Sequence, residues 1–160
     1  MYFFNVNELK QSLINEPLSQ TETFKYLLAY LIIISISQLV PSEQKSGWDY
    51  FIFGIQTLIT IFGTYYAFKA NNKNNGKYFL QRYLSLNFVL QLRYGLLCII
   101  FFIPILLILR RLGFDKYLIS IFLDIYVCFF LLIVYCTLVK YISIIADFDN
   151  VKTLSSKETN

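Results

Sequence analysis

The sequence predicts an all-α, polytopic membrane protein. It has four transmembrane helices, a short N-terminal interfacial helix and an interfacial helix before the third span. Three observations lead there. The 160 residues are 57% hydrophobic and 15% charged, against roughly 45–50% and about 25% in soluble domains. Mean hydropathy is +0.56, and on a water-facing protein that excess would become large exposed apolar patches. The apolar residues fall in long runs separated by polar turns, without β-barrel alternation, which leaves helices as the spanning form.

Each element follows from its own residues. In residues 1–20, Val6, Leu9 and Leu13 share one side of a helix with Phe3 and Phe4, while Asn7, Glu8, Lys10 and Gln11 lie elsewhere. That pattern predicts an amphipathic helix lying on the membrane surface. Glu8, Glu16 and the lack of a long apolar region separate it from a signal peptide. Pro17 ends it, and "SQTE", Ser19 to Glu22, has capping-box spacing for the next helix.

The transmembrane domain, 21–146, holds spans at about 21–40, 48–69, 88–109 and 117–140. Pro41 stops the first, and Trp48 opens the second as an interfacial anchor. A span needs about 20 residues, and the uncharged part of the third, Tyr94 to Leu109, has only 16. It must borrow from the preceding stretch or let Arg93 and Arg110 snorkel. Between spans two and three, "KANNKNNGK" is a basic turn without acid. After it, Phe79, Tyr83, Leu86 and Leu90 form an apolar stripe opposite Lys77, Gln81 and Ser85, which suits an interfacial helix leading into span three. Residues 147–160 are polar and aperiodic and predict a disordered cytoplasmic tail.

Of the 14 basic residues, ten fall on one side and four on the other when the N-terminus is placed inside. The positive-inside rule then puts both termini in the cytoplasm.

The run "NGKYFLQRYLSLNFVLQLR", after a span ending "GTYYAFKAN", resembles a pattern in small, uncharacterised four-span bacterial inner-membrane proteins. There an Asn/Gly-rich loop precedes F-L-x-R-[FY] and a second arginine. The likeness covers about thirty residues. It implies a multi-pass protein of the bacterial inner membrane and nothing catalytic.

With no histidine in the chain, the commonest metal ligand and general base are missing. Cys98, Cys128 and Cys136 lie inside apolar runs without C-x-x-C spacing, so no catalytic residue, metal site or cofactor is expected. The basic turn is short and membrane-tethered, which argues against nucleic acid.

Asp124 is the one acid inside an apolar span, and such residues are functional candidates by default. It lies roughly 10–12 Å from the predicted outer end of its helix. Gln56, Ser35 and Gln38 fall at a similar level on two other spans. One reading is a polar outer-leaflet pocket. The other is interhelical hydrogen bonding, with Asp124 protonated or paired with Arg110 or Arg111. Lys73, Lys77, Arg82 and Arg93 are candidate contacts for headgroups or anions, and Arg93 either faces the bundle or snorkels.

Gln56, Thr60 and Gly63 form a small-residue face suited to close packing. Tyr26, Tyr30, Tyr65, Tyr66, Tyr135 and Tyr141 cluster as an aromatic belt.

The expected function is a non-enzymatic interaction or regulatory role in the inner membrane. Its partners would be the lipid bilayer and another membrane protein or a second copy. Immunity to a pore-forming toxin is one variant, since pore-forming colicin immunity proteins are similar in size, span count and aromatic content. The alternative is a small transporter or channel subunit using Asp124 as its intramembrane acid.

Overall fold

A computed structural model describes residues 5–15, 18–37, 47–71 and 78–158. Among them are five helices: α1 (Val6–Asn15), α2 (Gln20–Ser37), α3 (Gly47–Asn71), α4 (Phe79–Arg111) and α5 (Lys116–Glu158). Three stretches, Gly47–Asn71, Phe79–Arg111 and Lys116–Phe148, are long and apolar enough to cross a bilayer. The protein is therefore helical and membrane-embedded. The expected first span, 21–40, is helical as far as Ser37, and residues 38–40 lie outside the described ones.

Local chemistry sets the helix ends. The Oδ1 of Asn5 accepts from the Glu8 amide at 3.3 Å, at the start of α1. Ser19 caps α2: the Glu22 amide donates to its Oγ at 3.2 Å, and the Ser19 amide donates back to Glu22 Oε2 at 3.4 Å. This is the reciprocal pair that the SQTE spacing predicts. α4 ends in a Schellman turn, with the Phe114 amide donating to the Leu109 carbonyl and the Gly113 amide to that of Arg110. Gly113 holds φ 79 there, a left-handed conformation that costs glycine little. Asp115 Oδ1 then accepts from the Tyr117 amide at 3.4 Å to open α5.

Paired residues give the helix directions. Trp48 meets Asp124 near the start of α3, and Gly63 meets Tyr135 further along, so α3 and α5 run parallel. Tyr126 donates to the Cys98 carbonyl, whereas Tyr135 lies beside Tyr83, so α4 is antiparallel to α5. Tyr26 packs edge-on to Phe88 with centroids 6.0 Å apart, and Tyr30 borders Gln91 and Gly95, so α2 follows α4.

The core is concentrated at one end of the bundle, where α2 and α4 begin and α3 ends. Seven residues of α4 there, Arg82 and Ser85 to Leu90, are buried. Consecutive burial means a helix covered on every side, not an amphipathic one. At that level α4 touches α1, α2, α3 and α5.

The interfacial helices are placed differently from the sequence expectation. Val6 and Leu9 of α1 are fully buried and Leu13 nearly so, in one core with Leu86, Leu138 and Ile142. The apolar stripe expected to face lipid packs instead on α4 and α5. Protein atoms already present there bury the stripe as well as headgroups would. Ser85, on the stripe expected to meet solvent, is fully buried and returns its hydroxyl to the Gln81 carbonyl at 2.7 Å.

Span three is thus the C-terminal part of a single helix of 33 residues. At about 1.5 Å per residue it reaches roughly 50 Å, well beyond a hydrocarbon core of about 30 Å. The expected disordered tail is instead helical through Glu158, as a continuation of α5. Extending an existing helix avoids the nucleation cost that a separate tail helix would meet.

Candidate functional site

The polar residues that the sequence singles out do not converge on one place. Asp124 is half-buried on α5, and its Oδ2 accepts a hydrogen bond of 2.9 Å from the Trp48 indole. Trp48 opens α3, so this bond ties the N-terminal parts of two helices together. The indole nitrogen is a donor only, which suits a carboxyl facing the neighbouring helix. Arg110 and Arg111, the partners considered from sequence, are exposed at the end of α4.

Gln56 is half-buried two turns beyond Trp48 and shares no hydrogen bond with Asp124 among the described residues. Its carbonyl accepts the Thr60 hydroxyl at 2.9 Å. The Ser35 side chain and Gln38 lie outside the described residues, as do Lys73 and Lys77.

The two arginines of α4 separate. Arg82 is 2% exposed, and its Nη1 donates to Asn71 Oδ1 at 2.9 Å; Asn71, at the end of α3, is fully buried. Arg93 is exposed. The geometric alternative for Arg93 resolves toward the outside of the bundle, and it is Arg82 that points in.

Near Arg82, Thr64 Oγ1 and Tyr83 Oη lie 2.8 Å apart, joining α3 to α4. Tyr135 and Tyr30 are the next polar neighbours of the Tyr83 hydroxyl. The tyrosines expected as a belt divide accordingly. Tyr26 and Tyr135 are buried, Tyr30 and Tyr141 are half-buried, and Tyr65 and Tyr66 are exposed. Lys10 of α1 sits over the Tyr141 ring, 5.7 Å from its centroid, within reach of a cation–π attraction.

The small-residue face of α3 works at Gly63. A Cβ built there would overlap the Cβ and ring of Tyr135, so only glycine permits this closeness of α3 and α5. The nearby hydroxyls of Thr57 and Thr60 return to carbonyls of their own helix.

Three contacts escape sequence reasoning: Trp48 with Asp124, Asn71 with Arg82, and Thr64 with Tyr83. The first had a signal, since an acid inside a span needs a donor and Trp48 starts the neighbouring span. Asn71 had none, because it reads as the first residue of an asparagine-rich turn.

Comparison with protein-family models, curated proteins and solved structures finds no match.

The Trp48–Asp124 bond makes a measurable prediction. Trp48→Phe should lower bundle stability by about 0.6 kcal/mol, the average for an interhelical hydrogen bond in a membrane. Asp124→Asn keeps an acceptor for the indole and should cost less than Asp124→Leu. Since the chain has one tryptophan, its fluorescence reads the site directly. Asp124→Leu should shift the emission maximum, and an unchanged spectrum would mean the indole does not engage Asp124.

Proposed function

We propose that this chain is a non-enzymatic, four-span protein of the bacterial inner membrane, with both termini cytoplasmic and an interaction or regulatory role. The observation that carries the reading is the engagement of the intramembrane acid. Asp124 takes the Trp48 indole hydrogen bond across two helices, the behaviour of a group that positions helices. A coupling acid in a transporter must instead exchange its proton or ion with water during each cycle.

Other polar groups are used in the same way. Arg82 of α4 meets Asn71 of α3, and Tyr83 of α4 meets Thr64 of α3. The outer half of α4 meanwhile turns Ile99, Ile100, Phe101 and Ile103 outward, each more than half exposed. Since Ile99, Ile100 and Phe101 are consecutive, the helix is uncovered on most sides there, which leaves room for lipid and for association with another spanning protein or a second copy.

Reconstitution into liposomes tests the reading. Purified protein should raise ion or solute flux no further than empty vesicles do, and it should associate stably with itself or a membrane partner in mild detergent. Flux that requires the protein and disappears in Asp124→Asn would replace this reading with the transport alternative.

A further inference from the structure

Outside the contacts described so far, a groove of about 550 Å³ runs between α3 and α5, within the roughly 300–1,000 Å³ typical of small-molecule sites. Phe62 and Tyr66 line it from α3, and Leu132, Cys136 and Val139 from α5. Its floor is the close approach of Gly63 to Tyr135. The lining is almost wholly apolar and comes from α3 and α5 alone.

Two cations follow the lining residues in sequence. Lys69 follows Tyr66 by three residues on α3, and Lys140 follows Cys136 by four on α5. At helical spacing each continues its lining stripe by one turn. Because α3 and α5 run parallel, both lysines arrive at the same end of the groove. Both are exposed. No acidic residue lies within a turn of either on its own helix, and Asp147 is two turns beyond Lys140. Glu22 belongs to α2, which touches neither α3 nor α5, and Glu8 to α1, which touches α5 but not α3.

We propose that this groove is a binding site for one anionic phospholipid, with an acyl chain lying along α3 and α5 and the phosphate held between Lys69 and Lys140. An apolar trough alone would accept any chain in the bilayer. The paired lysines at one end select the headgroup, as basic pockets between spanning helices do. This occupancy is independent of the interaction role above, since it needs only that α3 and α5 lie in a bilayer.

The test is native mass spectrometry of the purified full chain in detergent, after mixing with equal amounts of phosphatidylglycerol and phosphatidylcholine carrying the same acyl chains. One phosphatidylglycerol should be retained in preference, by about fivefold for each lysine that meets the headgroup. Lys69→Gln combined with Lys140→Gln, both at exposed positions, should bring the two lipids to near parity. Arg110→Gln with Arg111→Gln, at the far end of the bundle, should leave the preference intact.

Cys136→Trp should fill the groove and lower retention of both lipids, and Leu132→Trp is a second filler if the first does not fold. Equal retention by the native chain would overturn the proposal, as would a preference that survives loss of both lysines. Full retention in the filled groove would also overturn it. So would a lipid-free dimer, which would make a second copy the occupant.

Discussion

Arg82→Ala is expected to cost the bundle about 3–5 kcal/mol, as the sum of a lost buried stem and a lost charge-assisted hydrogen bond to Asn71. The side chain is 2% exposed, at the level where α4 is covered on all sides. Its removal leaves a cavity and takes the guanidinium away from Asn71 Oδ1, which is fully buried. Asn71→Leu should cost less, about 2 kcal/mol, because it removes one charge-assisted hydrogen bond while the packing of α4 persists.

Arg82→Lys should not restore stability, since an ammonium cannot reproduce a planar fork of donors. Denaturant unfolding in detergent measures all three, and the double variant gives the coupling. If the effects of Arg82→Ala and Asn71→Leu simply add, the two residues do not act as a pair.

Gly63→Ala should destabilise by about 1–3 kcal/mol, although alanine favours a helix over glycine by about 0.8–1.0 kcal/mol. The steric term wins because the new methyl would overlap the Cβ and inner ring atoms of Tyr135. Those atoms sit close to the α5 backbone, so a rotamer change cannot clear them and the helices must move apart. The cost should shrink in a Tyr135→Ala background, which removes the ring atoms that the new methyl would overlap and leaves only the Cβ of residue 135 in its way. Equal costs in both backgrounds would show that the closeness of α3 and α5 is not set at this position. Because Gly63 also floors the groove between these helices, the same substitution should weaken lipid retention.

Much of the molecule is legible in its residues because the physics involved is local. Long apolar runs, Pro17, the SQTE cap and the polar turns placed α2, α3, the end of α4 and the start of α5 to within a few residues. The candidate site was less legible. Arg82 and Arg93 are eleven residues apart, which at 3.6 residues per turn puts them on the same helical face within about 20°. Their spacing therefore predicts the same environment for both. One is buried and the other exposed because α1 and its neighbours cover α4 through Leu90 and that cover then ends.

The amphipathic pattern of α1 has the same ambiguity. An apolar stripe records only that it must leave water, and lipid or protein satisfies that equally. The chain by itself determined that this is a helical membrane protein, where its long apolar stretches lie, and which polar groups need partners. Only the tertiary structure decided the partners: Trp48 for Asp124, Asn71 for Arg82, Tyr135 against Gly63. Pairing of that kind depends on the relative depth and rotation of separate helices, and no single helix carries that information.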